Sequence, residues 1–258
     1  MDKDKIKKEV KKAYANIATS SGSCCSDCGC GSDSSAFAQS IGYSKEVLGD
    51  IPKQANLGLS CGNPIEHANI KQGETILDLG SGAGFDCFIA ASKTGTDGKV
   101  IGLDMTEEMI EKANKNLAET DLKNIEFRLG SIEEMPVEDS SVDVVISNCV
   151  INLSTDKQKV LKEVFRVLKP MGRISIADIS LKKELPEKTR QDISAYVSCV
   201  GGAILMDEYR KIVQDAGFED VAVKVLGGSE YIDTCTTKKS QGRFDGIVSI
   251  IITGYKPG

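Results

Sequence analysis

The stretch TILDLGSGAG, residues 75–84, decides the fold class of this 258-residue chain. Its first half is an apolar run typical of a buried strand, and its second half is rich in glycine. Glycines here let the chain turn tightly and let a ligand approach the backbone, while a helix starting at Phe85 would offer free N–H groups to a ligand carboxylate or phosphate. The pattern therefore predicts a ligand site at the end of a strand in an α/β sheet.

Strands and helices alternate on both sides of this turn. The predicted strands span residues 75–80, 99–104, 124–130, 142–148 and 173–179. Helical periodicity separates them, with helices starting at Phe85, after Thr106 and at Lys157 and a turn at 169–172. Residues 190–217 are predicted to be helical except at a glycine pair, and VAVKVL and GIVSIIITGY to form a closing antiparallel pair. This order predicts a doubly wound, mostly parallel, seven-stranded Rossmann-like sheet.

Composition narrows the classes of function. Hydrophobic residues make up 40% and charged residues 27% of the chain, and no apolar run is long enough for a membrane span, which predicts a soluble protein without a membrane partner. The net charge of −6 argues against a nucleic-acid partner. The N-terminal sequence has no secretory pattern, so we expect a cytoplasmic protein whose nine cysteines are thiols.

An N-terminal extension precedes the sheet. Residues 2–18 have one apolar stripe and many lysines, which predicts a solvated helix docked on the core. The segment after it, 20–35, is small and polar apart from Cys24, Cys25, Cys28 and Cys30, and is predicted to be a mobile loop. We divide the chain into an N-terminal helix and cysteine-rich segment, 1–64, and a ligand-binding domain, 65–258, with elements around 181–217 covering the site.

The glycine turn is not a dinucleotide fingerprint. That motif needs a third glycine where this chain has Phe85 or Cys87, depending on the register. Asp78 would lie unfavourably near a pyrophosphate but suits an ammonium group, and Asp104, which ends the second strand, can accept hydrogen bonds from both ribose hydroxyls. An amino acid attached to a nucleoside fits this pattern best. The alternative for Asp104 is a cap of the following helix.

Three cysteines distant in sequence suggest what the second ligand is. Cys61 precedes the sheet, Cys149 follows the fourth strand, and Cys199 is predicted on a helix that covers the same sheet edge. The single histidine, His67, is predicted to be a surface or packing residue, so the chain offers no obvious base for an oxygen or nitrogen acceptor. Trivalent arsenic held by thiolates needs no base as a methyl acceptor, because the arsenic atom already carries a lone pair. The alternative is that the three are small buried hydrophobic residues.

At this point the chain resembles the S-adenosylmethionine-dependent methyltransferases of the doubly wound class, because it has their D-x-G-x-G-x-G turn and an acidic end to the second strand. The contexts NLGLSCGNP, SNCVINL and SCVGGA narrow the resemblance to the arsenite methyltransferases, whose longer members have an additional C-terminal domain. The residues expected to bind the methyl donor are Asp78, Gly80, Gly82, Gly84, Asp104, Met105, Ile132, Glu133 and Asn148. The resemblance implies As(III) at Cys61, Cys149 and Cys199, joined by one N-terminal cysteine, Cys30 or else Cys24, Cys25 or Cys28.

These observations predict an enzyme that methylates arsenite and methylarsenite from S-adenosylmethionine, with thioredoxin or glutathione as the thiol reductant. The N-terminal cysteines could instead hold zinc or an iron–sulfur unit, although no second C-x-x-C pair completes such a site. Two other functions stay open: a methyltransferase of a small organic acceptor such as a quinone precursor, and a non-catalytic thiol-rich metalloid binder. Cys87 and Cys235 are given no role.

Overall fold

A seven-stranded β-sheet organises the computed structural model, which describes residues 2–19, 34–227 and 246–258. The strands are β1 (Thr75–Leu79), β2 (Lys99–Asp104), β3 (Ile125–Leu129), β4 (Val142–Asn148), β5 (Leu168–Leu181), β6 (Glu219–Gly227) and β7 (Ile247–Tyr255). Their order is β3-β2-β1-β4-β5-β7-β6. The first five strands are parallel, and β7 is antiparallel to both β5 and β6. The predicted sheet and its closing antiparallel pair are confirmed.

Helices cover both faces of the sheet. They are α1 (Lys3–Thr19), α2 (Ser34–Ser40), α3 (Lys45–Gly49), α4 (Pro64–His67), α5 (Phe85–Thr94), α6 (Glu107–Ala118), α7 (Lys157–Val167), α8 (Glu187–Arg190), α9 (Ile193–Val197) and α10 (Met206–Asp215), with 3₁₀ turns at Lys53–Ala55 and Ile151–Leu153. Residues of α7 and α10 form one apolar core with the sheet, and residues of α4 and α5 form the other. Because both faces are covered, β1 and β4 are nearly all buried, which explains their continuous apolar sequences.

The N-terminal helix packs on the covering elements beside the sheet. Ile6 and Val10 of α1 are buried against Tyr196 of α9, and Lys112 of α6 donates a hydrogen bond to the carbonyl of Ala18 at 3.1 Å. The expected docked helix is therefore present, and it lies next to the carboxyl edge of the sheet. Within the described residues, no helix combines the length and apolar character that crossing a membrane requires.

Two local predictions are wrong. The break predicted at the glycine pair within residues 190–217 is present, but it is longer than predicted, because α9 ends at Val197 and α10 begins at Met206. Cys199 therefore lies in a turn rather than on a helix, with a left-handed φ of 65°. The predicted turn at 169–172 lies inside the bounds of β5, although Met171 has a turn-like φ of 62°. Both errors concern short segments whose conformation depends on packing against distant parts of the chain.

Candidate active site

The glycine turn forms the floor of the main cavity. Gly80 and Gly84 have φ values of 65° and 93°, in the left-handed region that side chains disfavour. A Cβ atom on Gly80 would overlap the side chain of Val150, and one on Gly84 would lie 2.8 Å from Cζ of Phe127. The turn therefore needs glycine for conformation and for space. It leaves the N-terminus of α5 open toward the cavity.

The cavity extends from this turn across the carboxyl edge of the sheet. Its lining includes the ends of β1, β2 and β4, the segment before Cys61, and residues of α1. All of the predicted donor-binding residues except Gly84 line it: Asp78, Gly80, Gly82, Asp104, Met105, Ile132, Glu133 and Asn148. Among the described residues, four carboxylates and one lysine contribute to the lining, so the cavity favours a cationic ligand.

Asp104 is fixed by the glycine turn and by the start of α6. One carboxylate oxygen accepts a hydrogen bond from Gly82 N at 3.0 Å, and the other accepts from Thr106 N at 2.8 Å. Burial raises the pKa of Asp104, although these backbone hydrogen bonds oppose the rise. Asp104 does contact the start of the helix, as the capping alternative expected, and it also lines the cavity.

A pair of buried carboxyl groups lies beneath the turn. Asp78 accepts a hydrogen bond from the Cys87 thiol at 3.2 Å, and Asp86 accepts one from Tyr43 Oη at 2.6 Å. Burial and the nearby Asp86 raise the pKa of Asp78 well above its usual value. Burial also raises the pKa of Asp86, to about 6, against hydrogen bonds from Tyr43 and Asn148. A ligand carrying positive charge would stabilise both carboxylates in their ionised form.

The opposite wall of the cavity involves α1, which the sequence did not identify as part of a site. Lys7 Nζ donates to Ser131 Oγ at 3.0 Å and lies 3.3 Å from Glu133 Oε2. Glu133 also accepts from Ser154 Oγ at 2.8 Å. Burial acts to raise the pKa of Glu133, but the hydrogen bonds from Ser131 and Ser154 and the charge of Lys7 outweigh it and lower the pKa. Glu133 is therefore an ionised acceptor beside Met105 and Ile132.

Cys61, Cys149 and Cys199 belong to one buried cluster, and Cys149 also lines this cavity. The sulfur atoms of Cys61 and Cys149 lie within 4.8 Å of each other. Cys199 Sγ donates to the carbonyl of Cys149 at 3.0 Å. All three are buried and share one apolar cluster with Leu181 and Val200. We call Cys61, Cys149 and Cys199 the thiol cluster.

Backbone conformation directs two of these thiols. Cys149 and Cys199 have left-handed φ values of 60° and 65°, which is unusual for residues other than glycine. Cys149 N donates to the carbonyl of Ala177 at 2.8 Å, which continues the sheet pairing by one residue. The sharp change of direction at each cysteine is held by its neighbours, as strained residues at functional sites often are.

Burial and neighbouring groups raise the pKa of two of the three thiols, those of Cys149 and Cys199. A hydrogen bond from Cys199 lowers the pKa of Cys149, but the Cys61 thiol and burial raise it, and the net pKa is well above the usual thiol value. The Cys149 thiol and burial likewise raise the pKa of Cys199. Tyr14 of α1 lies with its hydroxyl 4.0 Å from Cys199 Sγ. The raised pKa values favour the neutral form of the Cys149 and Cys199 thiols, in an apolar setting with a phenol at its side.

Asn148 joins the thiol cluster to the buried carboxyl pair. Its Nδ2 donates to Asp86 Oδ2 at 2.9 Å and to the carbonyl of Gly62 at 2.9 Å. Its Oδ1 accepts from Cys61 N at 3.0 Å. The sequence placed Asn148 among the donor-binding residues, and the structure places it between the two halves of the cavity.

Asp178 is a further acidic residue at the thiol cluster that sequence reasoning missed. One of its carboxylate oxygens lies within 4.8 Å of the sulfur atoms of both Cys61 and Cys149. Asp178 is fully buried, and burial raises its pKa to about 6 despite several hydrogen bonds. An acidic residue within the apolar run RISIADI was the available signal. For Tyr14, an apolar helical stripe gave no sign of a polar role.

The remaining predicted residues lie apart from the site or outside the described ranges. Cys24, Cys25, Cys28, Cys30 and Cys235 belong to segments that the structure does not describe. Cys87 is fully buried under Asp78, and His67 ends α4 half-buried, as expected for residues without a role. The described residues thus bring together the three cysteines on which the sequence argument depends.

Comparison with known proteins first shows the class of protein to which the chain belongs. A family model described as a methyltransferase domain matches residues 70–217, which hold the glycine turn and the thiol of Cys149. A solved structure, an arsenic(III) S-adenosylmethionine methyltransferase from Chlamydomonas reinhardtii, is 30% identical with a TM-score of 0.59 and covers 86% of this chain and 73% of that one. The fold and the cavity therefore define a methyltransferase.

Two relatives matched over most of this chain show the family. An arsenite methyltransferase from Halobacterium salinarum is 43% identical over 267 residues, which cover 99% of this chain and 68% of that protein. One from Mus musculus is 33% identical over 231 residues, covering 84% of this chain and 59% of the mouse protein. The chain belongs to the arsenite methyltransferase family. This confirms the family that the cysteine contexts predicted, in a chain that spans about two thirds or less of these relatives' lengths.

Proposed function

We propose that this protein transfers a methyl group from S-adenosylmethionine to trivalent arsenic bound by Cys61, Cys149 and Cys199, giving methylated arsenicals. The observation that carries the proposal is that three sequence-distant thiols share one buried cluster, and that one of them, Cys149, lines the cavity that the glycine turn opens. Family membership supports it.

The donor half of the cavity suits S-adenosylmethionine. The sulfonium and ammonium groups of this ligand are positive, and the pocket is lined by carboxylates whose pKa values burial has raised. We assign the ammonium group to the side of Asp78, the ribose to Asp104 and the adenine to the wall of Met105 and Ile132, with Glu133 at its edge. A cationic ligand would thus offset the electrostatic cost of the buried carboxylates.

The thiol half suits a soft, three-coordinate substrate. Arsenite, As(OH)₃, exchanges its three hydroxyls for three thiols: three As–S bonds form, and each thiol proton leaves with a hydroxyl as water. This exchange needs neutral thiols and releases no net charge, so the raised pKa values of Cys149 and Cys199 do not oppose it. Sulfur ligands select soft ions over hard ones.

The shared cavity then places the two reactants in one enclosure. Cys149 lines the same cavity as Gly80 and Asp104. The arsenic lone pair attacks the methyl carbon, an As–C bond forms, and the S–C bond breaks with its electrons remaining on the departing sulfur. Holding both reactants in place makes the displacement effectively unimolecular, which is the main source of rate acceleration that such a site offers. No general base is required, because no proton is lost.

Methylation raises arsenic to the pentavalent level, so a second transfer needs two electrons. We propose that a cysteine pair provides them by forming a disulfide, and that thioredoxin or glutathione then restores the thiols in the cytoplasm. Cys24, Cys25, Cys28 and Cys30 are the candidates for this pair, in a segment outside the described residues.

The proposal is tested by incubating the protein with labelled S-adenosylmethionine, arsenite and a thiol reductant, followed by mass spectrometry of the arsenic species. We expect labelled methylarsenicals from the wild type and almost none from Cys149→Ser. Labelled product formed at an equal rate by both proteins would favour an acceptor that does not depend on the thiol cluster. Arsenic bound without any methylated product would favour a metalloid-binding protein.

A matched control uses a buried thiol outside the cluster. Cys87 donates its hydrogen bond to Asp78 and lies away from the three clustered thiols, and serine can make the same hydrogen bond. Cys87→Ser should therefore bind as much arsenic per chain as the wild type, whereas Cys149→Ser should bind less after equilibrium dialysis. An equal loss in both variants would contradict the assignment of the arsenic ligands.

A further inference from the structure

Asp178 is a buried ionisable group at the thiol cluster to which the proposed reaction has so far given no role. Asp178, near the carboxyl end of β5, is fully buried, and its carboxylate lies within 4.8 Å of the sulfurs of Cys61 and Cys149. A buried carboxylate is costly unless something compensates for its charge. Its position at the cluster therefore needs an explanation.

The surrounding hydrogen bonds hold this carboxylate in its ionised form and fix its direction. Asn152 donates to it from its backbone N at 3.2 Å and from Nδ2 at 2.8 Å. Ile179 N donates at 2.9 Å and Tyr209 Oη at 3.0 Å. The charge of Lys157 also stabilises the anion. Four donors leave the carboxylate little freedom to move away from the cysteines.

Thiol activation does not explain the residue. A negative charge beside a thiol opposes its ionisation, and Asp178 raises the pKa of both Cys149 and Cys199. A group selected to prepare the free thiols for binding would carry the opposite charge. The role must lie at a stage of the reaction when the cluster is positive.

The proposed reaction creates such a stage. Before transfer, the positive charge is on the sulfonium of the donor, and arsenic bound to three cysteine sulfurs is neutral. The methyl group moves as CH₃⁺, so the donor becomes neutral S-adenosylhomocysteine and the product is a CH₃–As(S-Cys)₃ cation. One unit of positive charge therefore moves from the donor pocket to the thiol cluster, next to Asp178.

Resting on the proposed function, we infer that Asp178 stabilises the positive charge that develops on arsenic during methyl transfer. A fixed charge aimed at the place where charge develops lowers the barrier without reorganisation. At an effective dielectric constant of about 20, a carboxylate about 5 Å away acts strongly on a full charge. This attraction is reduced because only part of the charge has developed in the transition state and because Lys157 carries an opposing charge. We therefore expect the Asp178 charge to raise the transfer rate about tenfold, equivalent to about 1.4 kcal/mol.

The experiment is a single turnover of arsenic-loaded protein with labelled S-adenosylmethionine, stopped at successive times. Asp178→Asn keeps the shape and removes the charge, so the transfer rate should fall about tenfold, while the affinities for arsenite and for S-adenosylmethionine stay within about twofold. Tyr209→Phe removes one hydrogen bond and keeps the charge, so it should slow transfer by less than about threefold. An unchanged rate in Asp178→Asn, or arsenite affinity lost in parallel with rate, would overturn the inference.

A second pair of variants separates charge from shape and serves also if Asp178→Asn does not fold. Glu and Gln have nearly equal volume at this position, so Asp178→Glu should transfer methyl faster than Asp178→Gln. Equal rates in the two would overturn the inference. A wild-type protein that makes no methylarsenical would overturn the proposed function itself, whereas an active wild type with equal Glu and Gln variants refutes only the role of Asp178.

Discussion

Gly202 sets the position of Cys199, and its substitution tests how the thiol cluster is assembled. Gly202 lies in the turn after Cys199 and packs against the 3₁₀ turn that follows Cys149. A Cβ atom on Gly202 would overlap the carbonyl oxygen of Asn152 and would lie 3.1 Å from Cζ of Tyr196. Because the carbonyl is backbone, Gly202→Ala must push the two cysteine-bearing turns apart.

The expected cost follows from overpacking. Inserting a methyl group into a packed interior destabilises by about 1–3 kcal/mol. A shift of about 1 Å at the reacting centre lowers a rate by about 100-fold. We therefore expect Gly202→Ala to lower the free energy of unfolding by about 1–3 kcal/mol. The variant should bind arsenite more weakly and transfer methyl groups about 10- to 100-fold more slowly. Its affinity for S-adenosylmethionine should be unchanged.

Urea denaturation measures the stability, equilibrium dialysis measures bound arsenic, and the methylation assay measures the rate. Gly49→Ala is the matched control, because a Cβ atom at Gly49 would have nothing within 4 Å. It should leave arsenic binding unchanged and the stability equal or up to about 1 kcal/mol higher. If Gly202→Ala matched the wild type in stability, arsenic affinity and rate, close packing of the two turns would not be what places Cys199.

Three further predictions concern the donor pocket, the buried network and pH. Asp104→Asn should lower the affinity for S-adenosylmethionine, measured by calorimetry, about 10- to 100-fold, because the ribose hydroxyls lose a charged hydrogen-bond acceptor. An affinity equal to that of the wild type would contradict the ribose assignment. Tyr43→Phe should lower the free energy of unfolding, measured in urea, by about 1–3 kcal/mol. The reason is that the buried Asp86 carboxylate loses its hydrogen bond of 2.6 Å from Tyr43. A smaller change would mean that the hydrogen bond from Asn148 alone satisfies this carboxylate. The pKa of Asp178 rises from 3.8 to about 6 on folding. Between these two pH values the carboxyl group is therefore protonated in the native protein and ionised in the unfolded chain. The wild type should therefore lose up to about 3 kcal/mol relative to Asp178→Asn as pH rises from about 4 to about 7, and a stability difference that stays constant over this range would refute the shift.

The strands and the glycine turn could be predicted because their causes are local. The apolar run before Gly80 and the acidic end at Asp104 report buried parallel strands and a turn at their carboxyl edge. Cys149 could be placed at that edge for the same reason, since it directly follows β4. Periodicity carries this information within a few residues of each position.

The surroundings of the thiols could not be predicted, because they depend on contacts between distant segments. Cys199 leaves helical geometry in a turn that packs on the segment after Cys149, which no local pattern records. Tyr14 reaches Cys199 across 185 positions, although its spacing resembles an ordinary buried helix face. Asp178 follows the strand pattern and becomes notable only when Cys61 is placed beside it.

The proposed reaction requires that one arsenic atom binds to all three sulfurs of the thiol cluster. The direct measurement is a crystal structure of the arsenite-loaded protein with anomalous diffraction at the arsenic edge. We expect one strong arsenic peak within bonding distance of the sulfurs of Cys61, Cys149 and Cys199, facing the glycine turn. A fully occupied arsenic atom bound elsewhere, with this cluster empty, would contradict it.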